Sequence, residues 1–201
     1  MNDPGSSSTR PPALGVPGST RFSVIDLETT GLSPDDDDIL QVAVVTSIDS
    51  MITAEWASFV RLRHPFARLG PTDVHGIRRR SVAFAPTLGS VLTRVARLID
   101  GSVVVAHNTA FDWAFLTAAA GRIGLELPDV DRLCTLRLSR ALDPERSRSH
   151  RLEAVATSYE IGNARPHDAL HDARTTALVL PKLLADVAAN GRDVHDFYER
   201  S

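Results

Sequence analysis

The chain of 201 residues carries 22 basic and 25 acidic side chains, with a net charge of -3 and a pI near 6.1. No global basic field advertises nucleic acid, so any such binding must rest on local patches. At 43% hydrophobic and 23% charged it fits one globular domain with a real core, and its single cysteine, Cys134, excludes an internal disulfide or a cysteine-rich zinc site.

Residues 1–20 are so rich in Pro, Gly and Ser that they cannot bury enough apolar surface to offset the entropy of ordering, and they read as a disordered tail. Strand patterns follow at 22–28 (FSVIDLE), 39–48 (ILQVAVVTSI) and 52–62 (ITAEWASFVRL). The turn-rich Ser33-Pro34-Asp35 separates the first two, and the short loops predict an antiparallel meander. The acids Asp35 to Asp38 read as a solvated turn, because neighbouring side chains diverge and no spaced calcium-loop pattern surrounds them. Over 86–99 the apolar spacing predicts an amphipathic helix that Gly101 ends, before a short strand run at 103–107, VVVAH. Further helices are predicted over about 110–120, 150–158 and 168–189. This alternation implies an α/β fold with helices against a sheet. The sequence has no fixed-period repeat, P-loop or GxGxxG pattern, which weighs against nucleoside triphosphate and dinucleotide readings.

Within these elements three groups of acids could meet. Asp26 and Glu28 are i and i+2 on the first strand, so they share a face about 6.6 Å apart in backbone rise and could flank one cation; they could equally be two exposed acids on an amphipathic strand. In HNTAFDWAFL, 107–116, Thr109 reads as a helix N-cap with Asp112 three residues on, a capping-box-like arrangement. The same Asp112 follows directly on the end of a strand, where α/β folds display their chemistry. In RPHDALHDARTTALVL, 165–180, Leu170, Ala173, Ala177 and Leu180 make one apolar helical face while Asp168 and Asp172 lie on another. His167 and Asp172 would diverge on a continuous helix, and converge only if His167 stands in the loop after Pro166.

Taken together, IDLETTGL (25–32), VHGI (74–77), HNTAFDWAFL (107–116), SHRLEAVA (149–156) and H-x4-D from His167 to Asp172 resemble, in order and spacing over about 21–185, the DEDDh family of 3'-to-5' exonucleases. The proofreading epsilon subunit of bacterial DNA polymerase III is the best-known type of that family. The resemblance implies an RNase H-like fold, with a five-stranded mixed sheet flanked by helices, over an exonuclease domain of residues 21–190 and a short C-terminal tail at 191–201. It implies that Asp26, Glu28, Asp112 and Asp172 bind two divalent cations, Mg2+ or Mn2+, and that His167 is the general base. It further implies a pocket for the terminal nucleotide built from Thr29, Thr30, Gly31, Leu32, Val74, His75 and Phe111, with Phe111 equally readable as core. Gly31 is expected to let backbone N–H groups approach that nucleotide.

The expected activity is hydrolysis from the 3' end of single-stranded or frayed DNA, releasing nucleoside 5'-monophosphates. The expected partners are DNA 3' ends and a DNA polymerase subunit, although little chain follows residue 185 to serve as a polymerase-binding tail. The alternatives are an RNA-directed relative, such as an oligoribonuclease or tRNA-trimming nuclease, and a non-catalytic nucleic-acid-binding module; the latter would normally have lost an acid or the histidine. Of the basic residues all but Lys182 are arginine, a bias read first as genome composition. Arg78-Arg79-Arg80 and ERSRSHR, 145–151, are the richest local sources of positive charge for a strand. No basic start precedes an apolar leader and no run of about 18 apolar residues occurs, so the expected setting is a soluble protein in a reducing cytoplasm.

Overall fold

A computed structural model of the chain describes residues 20–64, 66–162 and 166–200. The tail read at 1–20 lies outside the described residues except for Thr20. The fold is a mixed sheet with helices on both faces. The meander comes first: β1 (Phe22–Thr29), β2 (Ile39–Ile48) and β3 (Met51–Phe59) pair antiparallel, as the short loops predict. Two short helices, α1 (Thr72–His75) and α2 (Arg79–Ala83), lead to α3 (Leu88–Ile99), whose N-cap Thr87 accepts the Ser90 N–H. The chain re-enters the sheet as β4 (Val103–Ala106), parallel to β1, and leaves through α4 (Thr109–Arg122). Then come β5 (Arg132–Cys134), α5 (Thr135–Ala141), α6 (Leu152–Ser158), the long α7 (Ala169–Ala189) and β6 (Tyr198–Glu199).

The sheet order is β3-β2-β1-β4-β5-β6, so it has six strands rather than the five expected. The added strand is a two-residue pairing of Tyr198 and Glu199 with Leu133 and Arg132, contributed by residues read as a short tail. Neither it nor the three-residue β5 is long enough to carry a period in sequence. Among the described residues, no helix is long and apolar enough to cross a membrane.

Two cores follow from the period-2 alternation of the central strands. Ile25 and Leu27 face α3 and α4 with Val104, Ala106, Phe115 and Leu116, while Val24 faces α5, α6 and α7 with Val105, Leu133, Ala173 and Leu180. Because both faces are covered, β2 is buried along almost its whole length and is apolar at all but Gln41 from Ile39 to Val45. A third, smaller cluster of Leu40, Leu62, Ile77 and Val82 holds α1 and α2 against the sheet.

Phe115 is fully buried and packs against the tilted ring of Phe111 at 4.8 Å, whereas Phe66 is 93% exposed. Phe115→Ala should lower unfolding free energy by about 3–5 kcal/mol, and Phe66→Ala should stay within about 0.5 kcal/mol, as measured by chemical denaturation.

Candidate active site

The sequence dictates where β1 must stop. Regular pairing slips between Glu28, opposite Gln41, and Thr29, opposite Ile39, leaving Leu40 as an extra residue on β2. Such a bulge bends a strand and re-aims the side chains beside it. The loop after it is closed by its own polar groups. Thr30 donates its hydroxyl to Asp37 at 3.0 Å and accepts the Asp38 N–H at 2.9 Å, and the Thr29 hydroxyl donates to the Gly31 carbonyl at 2.6 Å.

The acid run is therefore only half the solvated turn expected of it. Asp35 and Asp36 are exposed, but Asp37 also accepts the Ser33 N–H at 2.9 Å, and the buried Asp38 pairs with Arg63. A carboxylate turned inward finds backbone amides and a guanidinium that a freely solvated one would not need. Gly31 is explained by the same packing: a Cβ there would overlap the Asp37 carboxylate. Gly70, at φ 75°, likewise lets the following loop lie against the Thr30 backbone.

The second acid is delivered by a tight turn from β4 to α4. Asn108, at φ 94° in left-handed backbone, is the N-cap and makes no side-chain cap bond. Thr109, expected as the cap, is the first helical residue, and its buried hydroxyl donates across to the Leu133 carbonyl at 3.0 Å. The turn brings Asp112 over the end of β1, where the backbone N–H groups of Asp112 and Leu27 serve its carboxylate.

The third segment ends in the arrangement that convergence required. His167 stands in the turn before α7, at φ 64°, and only Asp172 is on the helix. The His167 N–H donates to Asp172 Oδ2 at 2.8 Å, and donor atoms of Glu28, His167 and Asp172 lie within 4.8 Å of one another. Asp168 is not on a helical face with Asp172. It caps α7, accepting the Leu170 and His171 N–H groups at 3.2 and 3.3 Å, and pairs with the His171 ring at 3.0 Å.

Asp26, Glu28, Asp112 and Asp172 thus converge from three separate stretches of chain. Asp112 and Asp172 are buried, Asp26 and Glu28 partly exposed. Burial, followed by repulsion from Asp112, Asp172, Glu28 and Asp168, pushes the Asp26 carboxyl well above the usual range. Burial, then Asp172 and Asp168, raises Glu28 to about 7. Burial raises Asp112 to about 8 in spite of its two backbone hydrogen bonds. Two carboxylates ~4 Å apart repel by about 4 kcal/mol at an effective dielectric near 20, so the ionised cluster calls for cationic charge. Its oxygen-only acids suit a hard divalent ion.

The residues expected to line a nucleotide pocket divide. Leu32 and Val74 are 84% and 46% exposed beside the site loops. Phe111 is half-buried against the core around α4. His75 is buried with both ring nitrogens engaged, Nδ1 accepting the Ile77 N–H and Nε2 against the Leu69 carbonyl, each at 3.0 Å, so it staples the α1 loop. Two contributors were not assigned to the site from sequence. Asp168 adds a further negative charge to the cluster. Gln41, a polar residue in the apolar first half of β2, stands opposite Glu28 and accepts the Ala169 N–H at 3.4 Å, tying the start of α7 to β2.

The comparisons with known proteins agree with this geometry. The RNase_T family, described as exonuclease, matches residues 23–180. A bifunctional exonuclease/endonuclease protein of Mycobacterium tuberculosis is 36% identical over 189 residues, which is 90% of this chain and 28% of that protein. A PolC-type DNA polymerase III of Bacillus cereus is 30% identical over 175 residues, 87% of this chain and 12% of that one. The chain therefore spans under a third of either relative. Exonuclease X, solved in complex with 5' overhanging duplex DNA, superposes with a TM-score of 0.66 at 26% identity, covering 88% of this chain and 96% of that one.

Unfolded Asp and Glu carboxyls titrate near about 4, while Glu28 and Asp112 titrate at about 7 and about 8 in the fold. Between those values the native state holds more protons than the unfolded chain, so stability from these groups is complete below the unfolded pKa and is lost as pH rises through the folded one. In chelator, the melting temperature should fall between about pH 5 and about pH 8, and Mg2+ or Mn2+ should restore it at the upper end. A melting temperature blind to both pH and cation would contradict the cluster.

Proposed function

Because the chain belongs to the RNase_T family of exonucleases, we propose that it is a metal-dependent 3'-to-5' exonuclease of the DEDDh type, acting on single-stranded or frayed DNA and releasing nucleoside 5'-monophosphates. The observation that carries the proposal is the convergence of Asp26, Glu28, Asp112 and Asp172 with His167 at one end of the central strands. The family match at 23–180 falls within the exonuclease domain proposed at 21–190.

The carboxylates of Asp26, Glu28, Asp112 and Asp172 would hold a pair of Mg2+ or Mn2+ ions. When bound, the pair supplies Lewis acidity toward the attacking water and neutralises charge on the leaving 3' oxygen. The protein's own part is placement and proton transfer. Asp26 and Glu28 sit on the rigid central strand, Asp112 and Asp172 on the first turns of α4 and α7, so the cluster keeps its spacing without mobile loops. His167 is exposed, held beside Asp172 by its own N–H, and its imidazole takes the proton that the water loses. Imidazole is the side chain best suited to accepting a proton near neutral pH. Thr29, Thr30, Gly31, Leu32, Val74 and Phe111 make the edge over which the terminal nucleotide is read, with the exposed Leu32 offered to a base face.

DNA is favoured as substrate by the 5' overhanging duplex held by Exonuclease X and by the DNA polymerase identity of the PolC relative. The same relative supports a DNA polymerase as partner and 3'-end trimming in proofreading as the setting.

Wild-type protein given 5'-labelled DNA and RNA strands should shorten the DNA from its 3' end with Mg2+ or Mn2+ and not with chelator. His167→Ala should lower kcat by roughly 10²- to 10⁴-fold while Mn2+ binding by calorimetry stays within about twofold. Wild-type turnover in that variant would overturn the role of His167, and shortening of RNA alone would overturn the choice of substrate.

A further inference from the structure

Beyond the same end of the central strands lies a cleft of about 350 Å³ lined by His107, Leu136, Arg140, Arg146, His150 and Arg151. β1 and β4 run parallel, so both point toward this end, and His107 is the first residue after β4. Asp26, two residues past Val24, shares the face of the sheet covered by α5, α6 and α7, and the His107 ring is held on that side by Thr135 of α5 and the His150 carbonyl.

The cleft's charge is one-sided. Arg140 comes from α5, Arg146 from the turn that follows, at φ 55°, and Arg151 from the N-cap of α6. All are exposed, and none takes part in the ion pairs found among the described residues. Among the described residues, no acid lines the cavity.

Asp143 is used to build the wall. Asp143 accepts the Ser147 hydroxyl at 2.9 Å and the Arg148 N–H at 3.1 Å, and lies 3.3 Å from His150 Nε2. His150 is held from its other side by Ser139 at 2.9 Å. The floor is equally fixed. His107 Nε2 lies 2.9 Å from the His150 carbonyl, which can only accept, so that nitrogen carries a hydrogen, and Nδ1 lies 2.9 Å from the Thr135 hydroxyl. Burial, opposed by the hydrogen bond to the His150 carbonyl and reinforced by Arg140 and His150, holds the His107 ring below its ordinary pKa. The result is a set of exposed guanidiniums over a floor of hydrogen-bonded histidines, which is the chemistry that receives a phosphate.

We propose that this cleft is a phosphate subsite, holding a backbone phosphate of the substrate strand one or two nucleotides upstream of the bond that is cut. The inference rests on the exonuclease reading of the acid cluster and adds what that cluster lacks, a place on this slightly acidic chain where the strand's own charge is welcomed. Guanidinium contacts to phosphate position a strand without reading its sequence, so the subsite fits an enzyme that follows an end and not a motif.

The test measures binding and turnover separately. Binding of a fluorescent single strand is followed by anisotropy in Ca2+, across a range of salt, for wild type, the single variant Arg146→Gln and the combined Arg140→Gln/Arg146→Gln/Arg151→Gln. Strands with one neutral methylphosphonate linkage, moved stepwise from the 3' end, locate the phosphate. The combined variant should weaken binding about tenfold and flatten the log–log salt slope by about 0.7 for each phosphate that is no longer neutralised. One linkage position should weaken wild type and leave the combined variant unaffected. Arg146→Gln, on an exposed turn, should show the same trend at smaller size. Arg192→Gln, beside Phe22 at the opposite end of β1, serves as control and should bind as wild type. Unchanged affinity and slope in both cleft variants, or wild-type binding indifferent to linkage position, would overturn the subsite. Absence of strand shortening by wild type with Mg2+ would instead overturn the exonuclease reading, because the binding arm needs no turnover.

Discussion

Like charges brought out of water set the terms for this fold. Asp26, Glu28, Asp112 and Asp172 repel one another in a place where solvent cannot fully screen them, and burial compounds the repulsion. Such a cluster persists only where the surrounding chain over-determines it. The bulge after Glu28, the left-handed Asn108 and the left-handed His167 are the backbone devices that do so, each at the point where an acid-bearing segment leaves or enters regular structure. The two cores on either side of β1 hold these devices in place, so packing far from the acids supports their spacing.

The electrostatic division across the molecule follows from the same constraint. A chain with a net charge of -3 gathers four acids at one end of the central strands and sets a group of arginines around the cleft beyond the end of β4. On the proposed reading, cations answer the acids at the point of reaction while Arg140, Arg146 and Arg151 answer the substrate's remaining charge. The abundance of arginine over lysine, legible only as a compositional bias, gains a local meaning where the planar fork can grip phosphate oxygens.

Much of the fold was legible in the sequence because its central elements are long enough to show their period. The strands β1 to β4 and the helices α3, α4, α6 and α7 fall within a few residues of their predicted limits. What stayed hidden was short or decided by tertiary packing. The two-residue β6 exists only because Leu133 and Arg132 offer it an edge, and α1 and α2 only because Ile77 and Val82 find Leu40. Thr109 looks like a cap in sequence, but a carbonyl on β5 claims its hydroxyl. Asp37 and Asp38 look solvated until Thr30, Ser33 and Arg63 close on them, and Gly31 then serves that closure. The acids were legible as a set through their resemblance to known motifs, whereas Asp168 read as a partner of Asp172 on a helical face and its place as the cap of α7 was not legible. The buried, doubly bonded His75 had no local signal that would separate a staple from a ligand.

The central claim, that these four carboxylates are held together to carry divalent cations, is tested most directly by diffraction from crystals soaked in Mn2+ near neutral pH, with data collected at a wavelength where manganese scatters anomalously. The account predicts a pair of anomalous peaks within coordinating distance of Asp26, Glu28, Asp112 and Asp172. A map with no manganese peak at these residues, or with manganese bound only elsewhere on the surface, would contradict it.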